Sequence, residues 1–110
     1  MERAIAKVLA FRDEREWKQF HDPKSLAASI AIEAAELLEL FQWMAPDEAR
    51  RHAADHKERV AEEVADVAIY LIELADVAGI DLAAAIEAKL DKNAARYPVE
   101  KSRGAWTKSP

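Results

Sequence analysis

The sequence predicts an all-α fold with four main helices. Alanine, leucine, glutamate and lysine, all strong helix formers, dominate the 110 residues. Apolar residues rarely alternate with polar ones between Gly or Asn turns, as they do in half-buried strands. Only 2 glycines and 4 prolines are present, and three of the prolines fall where the helical pattern is interrupted, at Pro23, Pro46 and Pro98.

The first two helices are bounded by prolines. The first should run over about residues 2–20 and end before Pro23, because proline disfavours a helical conformation in the residue before it. The second should be capped by Ser25, whose hydroxyl can accept a hydrogen bond from the first turn. It should continue over about residues 26–44 and stop before Pro46.

The other two main helices end at a glycine and at a proline. After a polar connector with a short helix through His52, the third should cover about residues 56–78, with Gly79 as its left-handed C-terminal cap. Asp81 should cap the fourth, which stops at Pro98. Residues 1–98 are therefore expected to form one all-α domain, followed by a polar, basic tail at 99–110.

Composition and charge exclude several classes of function. With 16 Lys and Arg against 21 Asp and Glu, the net charge of −5 argues against binding a nucleic acid polymer. Gly79 and Gly104 lie too far apart for a glycine-rich phosphate loop. Cysteine is absent, which removes disulfides, thiolate metal sites and cysteine nucleophiles. The chain has neither a signal-peptide run nor an apolar stretch that spans a membrane, so we expect a cytoplasmic protein without a membrane partner.

Two acids of the second helix fall where its core-facing side chains should be. At about 100° per residue, Glu33 and Glu36 share a sector with five apolar residues, Leu26, Ile30, Leu37, Leu40 and Met44. An ionised carboxylate buried there must be protonated, paired or bound to a metal. Alternatively, the helix bends or lies at an edge, and both acids reach water.

The third main helix carries a second pair, Glu63 and Asp66, and 26 residues lie between Glu36 and Glu63. The pair shares one side of the helix with three other polar residues, Glu62, Tyr70 and Glu73. An ordinary amphipathic surface helix shows such a side too. However, residues at i and i+3 lie on one face, so two antiparallel helices could direct all four carboxylates into one pocket.

This set of acids indicates a hard cation. Oxygen ligands without Cys or His suit Mg²⁺ or Mn²⁺, and Mg²⁺ commonly shares its coordination with substrate phosphates. A di-iron bundle is the competing metal site, but neither helix has the Glu-x-x-His motif that it needs. On the fourth helix, Lys89 and Asn93 fall on the apolar face, with Arg96 at its edge. The lysine could simply extend to water, whereas a buried Asn93 amide needs a phosphate, a base edge or a backbone carbonyl as its partner.

These motifs together resemble the all-α nucleoside triphosphate pyrophosphohydrolases, the MazG-like superfamily, and within it the dCTP pyrophosphatase branch. The paired acids are typical of the superfamily, and Phe41-Gln42-Trp43 with the later Asn…Arg-Tyr-Pro block narrows the likeness to the branch. The similar segments cover most of the chain: 11–17 (Phe-Arg-Asp-Glu-Arg-Glu-Trp), 19–21 (Gln-Phe-His), 33–37, 41–43, 62–71, 89–99 and 102–104.

The resemblance implies hydrolysis of a (deoxy)nucleoside triphosphate, most closely dCTP or a modified dCTP, to the monophosphate and pyrophosphate, which would sanitise the nucleotide pool. Water would attack the α-phosphorus, with Glu36 or Glu63 as the general base. Mg²⁺, or Mn²⁺ in its place, would be held by the four acids, Glu33, Glu36, Glu63 and Asp66.

The resemblance also implies which residues bind the nucleotide. The base and sugar would contact three aromatic residues, Trp17, Trp43 and Tyr70, each of which could instead serve core packing. The phosphates or neighbouring side chains would contact three residues of the fourth helix, Lys89, Asn93 and Arg96. His21, in the Gln-Phe-His string, would bind substrate or close the helix turn. Val8 stands where some dCTP-hydrolysing relatives carry a polar residue, which argues against strict cytosine selectivity.

The second helix has more apolar surface than one small chain can cover, with Ile32, Leu38, Phe41 and Trp43 on sides away from the acids. We therefore expect a four-helix bundle completed by homo-oligomerisation. The resemblance suggests a homotetramer with pockets between chains, with a dimer, as in the related dimeric dUTPases, as the fallback.

Three other interpretations stay open. A helical scaffold protein could use the same apolar faces without chemistry, but it gives no reason for paired acids within a core stripe. His52 and His56, four residues apart, could form a zinc site, although the Arg, Asp and Lys residues around them are typical of a solvated connector. Among enzymes, the alternative is a broader house-cleaning pyrophosphatase for non-standard nucleotides.

Overall fold

The chain is all-helical, as predicted. The computed structural model describes residues 1–105, and no strand occurs among them. The helices are α1 (Glu2–Glu14), a 3₁₀ helix (Trp17–Phe20), α2 (Pro23–Glu39), α3 (Pro46–Asp55), α4 (Lys57–Val77), α5 (Leu82–Arg96) and α6 (Val99–Ser102). No helix within this part of the chain combines the length and the apolarity that crossing a membrane requires.

Helix α4 is the centre of the first of two compact units, Met1–Gly79. It packs most extensively on α2 and also contacts α1 and α3. Leu26 of α2 and Ile72 and Ala75 of α4 are buried in this core. The two helices run antiparallel, since His21, just before α2, lies against Glu73 late in α4, whereas α2 continues to acids that meet α4 near its start. The second unit begins at Ile80 and contains α5 and α6.

The first predicted helix is too long, because α1 ends at Glu14. Glu16 adopts a left-handed backbone conformation, with φ 54° and ψ 36°, which an α-helix cannot accommodate. The Gln19 amide stabilises this bend by donating a hydrogen bond of 2.8 Å to the Glu16 carbonyl. As a result, Trp17 folds back edge-on against Phe11, with 5.8 Å between the ring centroids. The bend thus places two aromatic rings side by side.

The second helix also begins earlier than predicted. Asp22, not Ser25, is the N-cap, and Pro23 occupies the first turn, where its missing N–H is not needed. The Ser25 backbone N–H and hydroxyl donate to the two carboxylate oxygens of Asp22 at 2.9 and 2.6 Å. These hydrogen bonds, the one from the Ser25 hydroxyl first, hold the pKa of Asp22 below its ordinary value. Helix α2 ends at Glu39, five residues earlier than expected.

The remaining boundaries agree closely with the sequence. Helix α3 extends three residues beyond His52, to Asp55, and α4 covers the predicted span within one residue at each end. Gly79 has φ +69°, as predicted for a left-handed cap. Asp81 caps α5 by accepting a hydrogen bond of 3.1 Å from the Ala84 N–H.

Candidate functional site

Three of the four predicted acids meet between α2 and α4. Each of Glu33, Glu36 and Glu63 offers a carboxylate oxygen, and these oxygens lie within 4.8 Å of one another. Glu33 and Glu36 face α4 together because they are one helical turn apart. We refer to these three residues as the acid cluster. Among residues 1–105, it is the one group of three or more potential ligand side chains with this geometry.

The acid cluster contains buried oxygens that no donor satisfies. Glu63 is only 7% exposed, and in the described part of the chain Oε2 of Glu33 and Oε2 of Glu63 are buried without a hydrogen-bond partner. The other carboxylate oxygen of Glu63, Oε1, lies 3.3 Å from Nη2 of Arg59. Unpaired buried carboxylate oxygens are unfavourable in an apo protein but are the ligands that a hard divalent cation prefers. The donor set therefore fits Mg²⁺ or Mn²⁺.

Asp66, the fourth predicted acid, lies beside the acid cluster and is exposed. It is not part of the three-oxygen group, but its charge acts on Glu33. Partial burial raises the pKa of Glu33 above its ordinary value. Hydrogen bonding with Glu36 and the charges of Glu36, Asp66 and Glu63 raise it further. Gathering four acids in one place thus makes ionisation of Glu33 unfavourable without a cation.

This raised pKa predicts that replacing Glu33 by an uncharged residue stabilises the metal-free protein. Ionised Glu33 costs stability above its folded pKa, and the cost disappears as the pH falls through that value and the carboxyl takes up a proton. Glu33→Gln, which cannot ionise, should therefore unfold at a higher temperature than wild type in EDTA at pH 8, and the difference should shrink on acidification. Thermal unfolding followed by circular dichroism measures both effects. The exposed Glu58→Gln is the control, and a less stable Glu33→Gln at pH 8 would contradict the prediction.

A pocket of about 450 Å³ opens beside the acid cluster, within the first unit. This volume is in the range of small-molecule sites. Glu33 and Asp66 belong to its wall, so acids and pocket are continuous. The rest of the lining is mostly apolar or aromatic: Lys7, Val8, Phe11, Trp17, His21, Ile69, Tyr70 and Glu73. We call this cavity the α1–α4 pocket. A ligand with phosphates at the acids could place an aromatic base among the rings.

The predicted substrate-binding residues are only partly brought together. Trp17, His21 and Tyr70 line the α1–α4 pocket. Trp43 does not line it and is 88% exposed, in the turn that follows α2. The three predicted phosphate contacts lie on α5, in the second unit: Lys89, Asn93 and Arg96. Of these, Lys89 is exposed and Asn93 half-buried, and the Arg96 guanidinium lies 5.5 Å from the centre of the Tyr97 ring.

Sequence reasoning assigned no role to Glu73, although it placed this residue on the acid-bearing side of the helix. Glu73 is 6% exposed and lies in the pocket wall. Its Oε2 is 3.3 Å from Nδ1 of His21, but this contact is not a hydrogen bond, and Nδ1 has no hydrogen-bond partner within residues 1–105. Burial raises the pKa of Glu73, and the charges of His21 and Arg12 partly oppose this effect. The helical spacing from Glu63 was the only sequence signal for its place.

The alternative zinc site is not formed. The rings of His52 and His56 stack 4.2 Å apart at an angle of 23°, and Nδ1 of His56 lies 3.2 Å from the His52 carbonyl oxygen. Stacked rings do not direct their nitrogens to a common point. Neither histidine belongs to a group of three potential ligands in the described part of the chain.

Comparison with known proteins finds relatives that are named as pyrophosphatases. The profile of the MazG-like family matches residues 28–109. The dCTP pyrophosphatase 1 of Rattus norvegicus is 46% identical over 100 residues, and that of Homo sapiens is 41% identical over 100 residues. Each alignment covers 89% of this chain and 59% of the relative. The chain thus spans 59% of the length of these curated relatives.

One solved structure is similar over nearly the whole of both chains. The crystal structure of a pyrophosphatase from Archaeoglobus fulgidus DSM 4304 superposes with a TM-score of 0.83. It is 47% identical in sequence, and the match covers 89% of this chain and 92% of that one.

Proposed function

Because the chain belongs to the MazG-like family, we propose that it hydrolyses a nucleoside triphosphate, dCTP or a modified dCTP, to the monophosphate and pyrophosphate. The observation that carries the proposal is the acid cluster, whose unpartnered buried oxygens adjoin a pocket lined by aromatic rings. The names of the relatives, dCTP pyrophosphatase and pyrophosphatase, support the same reaction. A scaffold protein would have no use for such a cluster, because unpaired buried acids destabilise a fold.

The acids would hold the metal that this reaction needs. Glu33, Glu36 and Glu63, with Asp66 beside them, would bind Mg²⁺, and Mn²⁺ could replace it because both are hard cations. The bound ion would neutralise phosphate oxygens and lower the pKa of a coordinated water. This requirement also accounts for the net charge of −5, since the nucleotide would arrive as its metal complex.

The acids divide into a positioned ligand and an accessible base. Glu63 is buried and held by Arg59 at 3.3 Å, which suits a fixed ligand. Glu36 is exposed on the solvent side of the acid cluster. We therefore assign to Glu36 the removal of the proton from the attacking water, which requires a carboxylate that water can reach. The oxygen of that water would form the new bond to the α-phosphorus as the bond to pyrophosphate breaks.

The α1–α4 pocket would hold the nucleoside. Trp17 and Tyr70 offer faces on which a base can stack, and Phe11, in edge contact with Trp17, supports the first of them. Helix α1 contributes Lys7, Val8 and Phe11 to this wall. Because Glu33 and Asp66 line the same pocket as the rings, one nucleotide could direct its phosphates to the acids and its base to the rings.

We propose that the chain works as a homotetramer with sites between chains. Ile32 and Leu38 of α2 are 59% and 60% exposed, and Val64 and Leu71 of α4 are about half exposed. A single chain of this size rarely leaves so many large apolar side chains in water. Helix α5 likewise exposes Ile86 and Leu90. Association would cover these faces and could supply Trp43, Lys89, Asn93 and Arg96 to a pocket. The cytoplasmic location and the domain limit at residue 98 stay predictions.

A substrate panel tests the proposal. The protein should release pyrophosphate from dCTP or 5-methyl-dCTP with Mg²⁺ at a higher kcat/KM than from dUTP, dTTP, dATP or dGTP, and EDTA should stop the reaction. Light scattering on the same preparation should give the mass of four chains. A preference for a non-standard nucleotide would favour the house-cleaning alternative. No turnover by a folded oligomer would contradict the proposal and favour a scaffold.

A further inference from the structure

Glu73 is a buried carboxyl in the pocket wall that the proposed reaction leaves unused. It is 6% exposed and lines the α1–α4 pocket. It follows Asp66 by seven residues on the same side of α4, which at the helical rise separates the two by about 10 Å along the axis. At this distance Glu73 cannot share a metal with the acid cluster. It lies instead where a nucleotide with its phosphates at the acid cluster would place its base.

The Glu73 carboxylate has a potentially charged neighbour but no hydrogen bond within residues 1–105. His21 makes the one ion-pair contact with it in residues 1–105, between Nδ1 and Oε2 at 3.3 Å. Arg12 is close enough for its charge to act on Glu73, but the guanidinium donates its hydrogen bonds to Asp13 and Asp76. Hydrogen bonds in empty sites are often long and tighten when substrate binds. His21 can therefore fix Oε2 by a small rotation, which leaves Oε1 for a ligand.

Besides its carboxylates, the lining of the α1–α4 pocket has few groups that can accept a hydrogen bond from a base. Val8, Phe11 and Ile69 are apolar, and Trp17 offers mainly a stacking face. A buried carboxylate can distinguish one base from another, because it accepts hydrogen bonds from donors and repels other acceptors. The exocyclic amino group of cytosine donates a hydrogen bond that an Asp or Glu carboxylate can accept, whereas uracil and thymine carry a carbonyl oxygen at the same position.

We propose that Glu73 is a specificity-determining residue that selects amino-pyrimidine nucleotides by accepting a hydrogen bond from the exocyclic amino group, with His21 as its positioning residue. The inference rests on the proposed function and deepens it by naming the group that favours cytosine over uracil and thymine. It also offsets the apolar Val8, which cannot itself make a polar contact with the base.

The test compares Glu73→Gln with wild type on dCTP and dUTP in Mg²⁺. The amide keeps the size of the side chain but can turn its NH₂ towards the carbonyl of uracil. The ratio of kcat/KM for dCTP to that for dUTP should fall about tenfold or more, as expected for the loss of a base-edge hydrogen bond. Glu58→Gln, which removes an equal charge from an exposed part of α4, should keep the wild-type ratio. His21→Ala should lower the ratio less than Glu73→Gln does.

Calorimetric titration with dCMP and dUMP separates this inference from the proposed reaction, because it needs no turnover. Wild type should prefer dCMP, and Glu73→Gln should lose the preference. If both proteins give these results but the wild type has no hydrolytic activity, the proposed reaction is overturned and the proposed role of Glu73 is kept. Hydrolysis of dCTP with an unchanged base preference in Glu73→Gln would overturn the role of Glu73 and keep the reaction. If Glu73→Gln does not fold, Glu73→Asp, which retains the carboxylate, should keep the preference for dCMP, and its loss there would equally overturn the inference.

Discussion

Glu63→Gln should abolish Mg²⁺-dependent hydrolysis of dCTP, lowering kcat/KM by at least about 10³-fold, as expected when a group that stabilises charge in the transition state is removed. Glu63 is the most buried member of the acid cluster, so water cannot replace its carboxylate without rearrangement. The amide has almost the same shape but carries no charge to hold a divalent cation. Pyrophosphate release at saturating Mg²⁺ measures the loss, and calorimetry with Mg²⁺ alone should show weaker binding.

Two controls give this result its meaning. Glu58→Gln removes a charge from the same helix at an exposed position and should retain wild-type activity. The thermal midpoint of Glu63→Gln in EDTA shows whether the variant is folded, independently of its activity. A folded Glu63→Gln that retains more than about a tenth of the wild-type rate would show that the acid cluster does not hold the catalytic metal.

Asp76→Ala should destabilise the protein by about 2 kcal/mol, below the range for breaking a fully buried ion pair. Arg12 of α1 is 3% exposed, and its guanidinium donates to Asp76 of α4 at 2.7 Å. Burial alone would lower the pKa of Arg12, but the hydrogen bonds to Asp13 and Asp76 raise it. Removing Asp76 leaves the buried guanidinium with Asp13 alone. Urea unfolding at a fixed protein concentration measures the loss, because association would make stability depend on concentration.

Asp13→Ala is the matched comparison for Asp76→Ala. Asp13 contacts the same guanidinium at 2.9 Å, but its side chain is 58% exposed, compared with 30% for Asp76. An exposed ion pair contributes at most about 1 kcal/mol, so Asp13→Ala should cost less than Asp76→Ala. If both variants lose the same free energy of unfolding, the pair between Arg12 and Asp76 contributes no more to stability than the exposed pair between Arg12 and Asp13.

The pair between Arg12 and Asp76 also connects stability to the site. Arg12 follows Phe11 in α1, and Asp76 lies one turn after Glu73 in α4. Phe11 and Glu73 are both in the wall of the α1–α4 pocket. The ion pair therefore connects two helices that both contribute to this wall, and its loss should loosen the pocket as well as the fold.

The helices could be predicted from the sequence because composition and prolines determine them locally. Glu16 and Asp22 show where local rules fail. Nothing in the charged run around Glu16 marks a left-handed residue, and the bend is stabilised by later residues, through the Gln19 amide and the return of Trp17 to Phe11. At the next boundary, Asp22 and Ser25 are both good caps, and only the hydrogen bonds show that the serine donates and the aspartate accepts.

The acids of the site could be predicted because their spacing is helical, and the structure joins Glu33, Glu36 and Glu63 as expected. The role that we propose for Glu73 could not be predicted, because it rests on a contact with His21, which is distant in the sequence. The helical spacing also does not predict where Trp43 lies, and its side chain is exposed in a single chain. In our proposal, Trp43 and the polar residues of α5 would reach the nucleotide only through association between chains.

The most direct measurement is hydrolysis of dCTP by the wild-type protein in ¹⁸O-labelled water with Mg²⁺, with the products analysed by mass spectrometry. Our account predicts dCMP that carries one ¹⁸O atom and unlabelled pyrophosphate, because water attacks the α-phosphorus. Labelled pyrophosphate would instead mean attack at the β-phosphorus. Release of labelled orthophosphate with dCDP, or no hydrolysis by the folded protein, would contradict the assignment of a nucleoside triphosphate pyrophosphohydrolase.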